Sequence, residues 1–123
     1  MKTIYIVDDN QMMREFLRIC FEKEYGVKVF ASGEEALAYM TSESLPDMLL
    51  LDYELEGLSG TEILKSIKAS GFLRDVPVMF LSGKQKSEIR IECLQAGALD
   101  FVCKPFNPKE LFLRVNKQLS LHN

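Results

Sequence analysis

The sequence predicts an α/β domain built on a doubly wound parallel sheet of five strands. Two observations carry that expectation. Short apolar, β-branched runs alternate with longer segments of helical period five times along the chain, and strand alternating with helix implies right-handed crossovers, a parallel sheet and helices on both faces. The third run, Met48 to Leu51, is apolar at every position, as suits a strand buried on both faces in the middle of such a sheet.

The elements are read in chain order. Thr3 to Val7 (TIYIV) is the first strand, followed by an amphipathic helix from Gln11 to Glu24. Val27 to Ala31 is the second strand. Ser32-Gly33-Glu34-Glu35 then reads as a capping box, in which the Ser32 hydroxyl accepts an orphan amide and Glu35 reaches back, opening a helix to Thr41. Pro46 and Asp47 precede the third strand. Ser59-Gly60-Thr61-Glu62 is a second box, opening a helix to Ser70 with Gly71 as its stop. Val76 to Leu81 is the fourth strand, Gln85 to Ala96 a helix closed by Gly97, and Leu99 to Cys103 the fifth strand. Asn107-Pro108-Lys109-Glu110 supplies a cap, a proline at the first helical position and a third box glutamate, for a last helix to Leu119. Within these helices, Ile91 and Leu94 are expected in the core. There is no internal repeat, low-complexity tract or linker, so one domain is expected to fill residues 1–123.

Composition narrows the function. At 123 residues, with 47% hydrophobic and 27% charged side chains, the chain has the makings of one folded domain rather than a disordered one. Its 18 acidic and 15 basic residues give a net charge of −3, with no basic run, which disfavours direct nucleic-acid binding. Cys20, Cys93 and Cys103 are odd in number, lack CxxC spacing and sit in apolar segments, so they read as buried reduced thiols. His122 is the single histidine. A zinc site and a Ser–His or Cys–His pair are hard to build from that inventory. No leader-like segment precedes Thr3 and no apolar stretch is long enough to cross a bilayer, so the expectation is a soluble, cytoplasmic protein without membrane insertion.

In an open parallel sheet, functional groups gather beyond the carboxyl ends of the strands. Strand one ends in Asp8-Asp9, strand three in Asp52, strand four in Ser82-Gly83 and strand five in Lys104-Pro105, while strand two offers only Ser32. Three crowded carboxylates must either raise one pKa or hold a cation. Oxygen ligands in a partly open site suit Mg²⁺. A carboxylate at the end of strand three can attack phosphorus, and a metal and a lysine would neutralise charge building on the transferred oxygens. Singly, each residue has a plain structural reading: Asp-Asp as a turn or helix cap, Lys-Pro as the end of a strand. Their distribution over four strand ends is what sets them apart.

The segments IYIVDDN, PDMLLLDYELEGLSG, VPVMFLSG and AGALDFVCKPF resemble the receiver domains of two-component response regulators, and the resemblance covers essentially the whole chain. It implies a flavodoxin-like three-layer sandwich with strand order 2-1-3-4-5. It also implies Asp52 as phosphoacceptor, Asp8 and Asp9 as the acidic pair organising Mg²⁺ with Asp52, and Glu54 lending its backbone carbonyl to the metal. Ser82 would be the switch hydroxyl, Lys104 the partner of the phosphate, and Phe101 the aromatic that follows Ser82. The Lys104–Pro105 bond would be cis. The donor would be a histidine kinase or histidine phosphotransfer protein, and the output a downstream target or effector domain. That output would be read on the face of the fourth helix, fifth strand and fifth helix, a face that could also form a homodimer. Lys86, Arg90, Lys109 and Arg114 are charged positions there, each equally explicable as solvated surface.

The chain departs from the family pattern in three places. Glu56 stands where a proline is usual, Gly83 where an alanine often follows the switch hydroxyl, and Phe101 has no hydroxyl. Glu54 and Lys84 occupy the positions two beyond Asp52 and Ser82, and are expected to form an ion pair across the site mouth that tunes phosphoryl loss. Three other functions compete. A flavin mononucleotide carrier would need a Gly/Ser/Thr-rich loop where Asp8-Asp9-Asn10 stands. A phosphatase using Asp52 with Glu54 would need room for a substrate-covering cap. A receiver-like interaction module that is never phosphorylated would not need the acidic pair, acceptor, hydroxyl and lysine together. Enzymatic activity is expected to be limited to the domain's own phosphorylation and dephosphorylation. No effector segment is visible, so the chain either acts by docking or is part of a longer regulator.

Overall fold

The computed structural model describes residues 1–121; His122 lies outside them. The elements are β1 (Thr3–Val7), α1 (Gln11–Phe21), β2 (Gly26–Phe30), α2 (Gly33–Ser42), β3 (Met48–Asp52), α3 (Gly60–Ala69), β4 (Val78–Ser82), α4 (Ser87–Gln95), β5 (Asp100–Cys103) and α5 (Pro108–Leu121). All four strand pairings are parallel, and the sheet order is β2-β1-β3-β4-β5. This is the doubly wound, flavodoxin-like α/β sandwich expected from the sequence.

Strand alternation builds two cores. Tyr5, Val7, Leu49, Leu51, Val78 and Phe80 point to one face and pack with Ala36 and Met40 of α2, Ile63, Leu64 and Ile67 of α3, and Cys93 of α4. Ile4, Ile6, Met48, Leu50, Met79 and Leu81 point to the other, against Leu17 and Phe21 of α1 and Leu111, Val115 and Leu119 of α5. Every residue of β3 and β4 is buried, which is why those strands read as unbroken apolar runs. The register pairs Val7 with Leu51, Asp52 with Leu81 and Ser82 with Cys103. Four strand ends are therefore in step, and the residues just beyond them land on a single edge of the sheet.

The caps partly meet expectation. Ser59 and Glu62 form a complete reciprocal box at α3. At α2 the Ser32 hydroxyl accepts the Glu35 amide at 3.2 Å, but the Glu35 carboxylate reaches the Ala31 amide, one residue upstream of the cap. At α5 the Asn107 side chain accepts the Lys109 and Glu110 amides at 2.9 and 3.2 Å, while the Glu110 carboxylate faces Arg114 along the helix instead of closing a box.

Several boundaries move for identifiable reasons. α1 ends at Phe21, not Glu24, because the Glu24 and Tyr25 amides both turn back to the Phe21 carbonyl, which drops Tyr25 into the core. β4 starts at Val78, since the Val76 amide is taken by the Leu73 carbonyl and Pro77 has none to give. α4 starts at Ser87, with no side-chain cap from Lys86. Ile91 and Leu94 are not core residues: they are 52% and 44% exposed. The short α4 rests on the core through Ile89, Cys93 and Ala96, and this i, i+4, i+7 stripe turns Ile91 and Leu94 to solvent. All three cysteines are free, with Cys93 buried and Cys20 and Cys103 half-buried. Burial, and then the charge of Glu92, push the Cys93 thiol up to about 11, where it is inert as a nucleophile at neutral pH. No helix among the described residues is long and apolar enough to cross a membrane.

One glycine sets the approach of α3 to the site. A Cβ on Gly60 would fall 2.7 Å from the Phe80 ring and 2.9 Å from the Asp52 carbonyl oxygen. The second neighbour is backbone and cannot step aside. Gly60→Ala is therefore expected to cost about 1–3 kcal/mol, read as a lowered thermal midpoint; an unchanged midpoint would mean that α3 is free to shift.

Candidate functional site

The site is assembled from the ends of β1, β3, β4 and β5. Asp8 comes directly after β1 and is 1% exposed; one of its carboxylate oxygens accepts the Asn10 amide at 2.9 Å, and its carbonyl accepts the Arg14 guanidinium at 2.8 Å. Asn10 in turn caps α1 by accepting the Met13 amide. The turn after β1 thus fixes Asp8 inward and leaves Asp9 exposed. The Asp9 carboxylate accepts the Glu56 amide at 3.2 Å, tying this turn to the loop after β3. A proline at 56 would have no such amide to offer.

Asp52 closes β3 and is 5% exposed. One carboxylate oxygen from each of Asp8, Asp9 and Asp52 lies within 4.8 Å of the others. Lys104, after β5, brings its ammonium 3.2 Å from Asp52 Oδ1 and 3.4 Å from Asp8 Oδ2. Its amide donates to the Ser82 carbonyl at 2.6 Å, and the Lys104–Pro105 peptide bond is cis.

Ser82 ends β4 and is fully buried. Its hydroxyl donates to Glu54 Oε1 at 2.7 Å, and the amides of Gly83 and Lys84 donate to the same oxygen at 3.0 and 3.2 Å. This corrects the expected Glu54–Lys84 side-chain ion pair. The Glu54 carboxylate meets the Lys84 main chain, and among the described residues there is no salt bridge between these two side chains. The physical reason is proximity: the turn after Ser82 aims two amides and a hydroxyl at one point, and a carboxylate already there has little reason to reach for a solvated ammonium.

Phe101 of β5 is buried, its ring centroid 6.3 Å from Tyr53 and 6.4 Å from Phe80, with the Arg90 guanidinium 5.8 Å above it. Arg90 also donates to Cys103 Sγ at 3.4 Å, and Arg114 pairs with Asp100 at 3.4 Å. Of the four charged positions on this face, these two are engaged, whereas Lys86 and Lys109 are in no salt bridge among the described residues. The Arg14 contact with Asp8 is one that the sequence reading does not single out. Its signal is only its place one turn beyond the Asn10 cap.

The electrostatics arise from crowding. Burial first, and then the negative charge of Asp8, push the Asp52 carboxyl up to about 7; the Lys104 ammonium opposes them, and a hydrogen bond to the Glu54 carboxyl adds to the rise. Burial works against the Lys104 ammonium, but the charges of Asp52 and Asp8 outweigh it and hold its pKa above the usual lysine value. Burial would likewise raise Glu54, yet the hydrogen bonds it accepts from Ser82 and Asp52 hold it below the usual carboxylate range. Three hard carboxylate groups against one ammonium, with Asp9 open to water, make a donor set that fits a small hard dication keeping part of its hydration shell.

Residues 4–116 match the family model described as the response regulator receiver domain. The chain belongs to that family. It is 34% identical over 114 residues to the phosphate regulon transcriptional regulatory protein PhoB of Escherichia coli K12, covering 93% of this chain and 50% of PhoB. It is 38% identical over 120 residues to the transcriptional regulatory protein CssR of Bacillus subtilis 168, covering 97% of this chain and 52% of CssR. The chain thus spans about half the length of these relatives. Among solved structures, the receiver domain of the Francisella response regulator 1452 superposes with a TM-score of 0.92 at 27% identity, covering 100% of both chains.

The raised Asp52 carboxyl gives this receiver domain a signed pH dependence. A carboxyl whose pKa rises on folding from 3.8 to about 7 contributes stability that is complete below about 3.8 and lost as pH rises through about 7. In metal-free buffer, Asp52→Asn should therefore raise the thermal midpoint at pH 8 by about 10 °C more than at pH 5. Equal shifts at the two pH values would mean that the Asp52 carboxyl titrates normally.

Proposed function

We propose that this receiver domain takes a phosphoryl group onto Asp52, with Mg²⁺ held by Asp8, Asp9, Asp52 and the Glu54 backbone carbonyl. The observation that carries the reading is the meeting of Asp52 with a single ammonium, 3.2 Å away, inside a group of three carboxylates. That arrangement is poor for stability, since two of the carboxylates are buried, and well suited to receiving an anion together with a dication.

An Asp52 oxygen attacks phosphorus, the new O–P bond forms, and the bond from phosphorus to the donor's leaving atom breaks, its electron pair leaving with the donor. For a phosphohistidine donor the imidazole nitrogen departs and is protonated from water. Asp52 must be ionised to attack, and Lys104 supports that form at neutral pH. As charge gathers on the transferred oxygens, Lys104 stays beside them, and the Ser82 hydroxyl is placed to donate to one. Bound Mg²⁺ would supply further charge neutralisation on the same oxygens. Hydrolysis of the acyl phosphate resets the site, with Glu54 and Lys84 at its mouth setting how readily water enters.

The donor in this reading is a histidine kinase or a histidine phosphotransfer protein. Phosphorylation biases an equilibrium between two packings, passing from Ser82 to Phe101 and to the surface of α4, β5 and α5. That surface would engage a downstream target, an effector domain or a second copy of the chain. PhoB and CssR are transcriptional regulatory proteins of which this chain covers 50% and 52%, which supports an effector segment as one output. A cytoplasmic setting is consistent with the absence, among the described residues, of a membrane-crossing helix.

The test is intact mass after incubation with acetyl phosphate and Mg²⁺. A phosphoryl-sized gain is expected in the native chain, none in Asp52→Ala, and a rate lowered by roughly 10²-fold in Lys104→Ala. A gain that survives loss of Asp52, or no gain in folded native protein, would overturn the reading in favour of an interaction module that is not phosphorylated.

A further inference from the structure

The Glu54 carboxylate sits in a site built for an anion. Three donors, the Ser82 hydroxyl and the amides of Gly83 and Lys84, converge on its Oε1 at 2.7, 3.0 and 3.2 Å, and the Gly83 amide also lies 3.4 Å from Oε2. Successive amides joined by a hydroxyl form a concave patch of positive potential. Its distance from the nucleophile is short. The Glu54 amide donates to Asp52 Oδ1 at 3.1 Å, so the residue whose side chain fills the patch is anchored by its own backbone to the phosphoacceptor.

We propose that Glu54 is an internal occupant of the cradle formed by Ser82 Oγ, Gly83 N–H and Lys84 N–H, and that an oxygen of the incoming phosphoryl group must displace it. The inference rests on the acceptor reading of Asp52 and adds to it a competitor carried by the chain itself. The two anions exclude each other. One set of donors cannot serve a carboxylate and a phosphoryl oxygen at once, and the like charges repel at this range.

Displacement is open to the side chain. Glu54 is an exposed residue in the loop between β3 and α3, no salt bridge among the described residues holds it, and its charge is met mainly by the cradle. A phosphoryl dianion is the stronger acceptor for the same donors. Glu54 therefore slows entry without barring it. The contact also holds the Ser82 hydroxyl toward the site before any phosphoryl group arrives, so that part of the rearrangement assigned to phosphorylation is already made. Glu54 is in this sense a positioning residue for Ser82 and a rate-setting one for the transfer.

The test compares the native chain with Glu54→Ala and Glu54→Gln, both of which keep the backbone carbonyl and amide. With acetyl phosphate and saturating Mg²⁺, Glu54→Ala should gain the phosphoryl mass roughly tenfold faster than the native chain. Glu54→Gln, which keeps a neutral acceptor, should fall between them. Affinity for beryllium trifluoride, a phosphoryl mimic that transfers nothing, should tighten in the same order. In donor-free, metal-free protein the Gly83 and Lys84 amide proton resonances should move upfield in Glu54→Ala and return when beryllium trifluoride and Mg²⁺ are added. A native chain that is phosphorylated while Glu54→Ala and Glu54→Gln are no faster and bind the mimic no tighter would overturn the inference and leave the acceptor reading intact. Failure of all three chains to gain mass would remove the acceptor reading and this inference with it.

Discussion

Two buried carboxylates, Asp8 and Asp52, lean on one ammonium, Lys104, and the rest of the molecule is arranged around that imbalance. A buried ion pair seldom repays its desolvation, and an excess negative charge makes the balance worse. What keeps the three groups together is the sheet. β1, β3 and β5 are separate in sequence, yet their register and the two cores on either face fix their carboxyl ends in step. The energy that folds the hydrophobic layers is what forces like charges into contact. In the proposed function a small hard cation would relieve that crowding and, with Lys104, would meet the charge of an arriving phosphoryl group.

The same sheet joins the site to the surface. Ser82 and Phe101 sit on neighbouring strands, β4 and β5, and Phe101 packs between Tyr53, next to Asp52, and the Arg90 guanidinium on α4. In the proposed function this packing would carry a change at Ser82 to an outer helix. α4 is suited to respond: it is nine residues long, has no side-chain cap and buries only Cys93 fully. An element held this lightly shifts at lower energetic cost than α3, which has a full capping box and four buried residues.

Most of the fold was legible in the sequence because each level of signal agreed with the next. Unbroken apolar runs marked the two central strands, and residues at four strand ends marked the edge where chemistry would gather. The misreadings share one cause, namely that spacing along the chain does not report which neighbour a side chain meets across it. Ile91 and Leu94 have helical spacing suitable for a core, but the helix phase is set by Cys93 against the sheet. Glu35 and Glu110 stand at box positions and turn to other partners. Glu54 and Lys84 face each other in the site, and a charge-pairing argument joins their side chains. The structure instead gives the Glu54 carboxylate to a hydroxyl and two amides, donors that every sequence has and no motif displays.

The imbalance of charge at Asp52 is the central claim, and the carboxyl carbon of that residue reports it directly. A pH titration of the Asp52 side-chain carbon resonance in metal-free protein should give a midpoint near 7, the value to which burial and Asp8 raise it. With saturating Mg²⁺ the midpoint should fall well below that, as a cation takes up the excess charge. A midpoint in the ordinary aspartate range without metal, unmoved when Mg²⁺ is added, would contradict both the crowding and the cation site inferred from it.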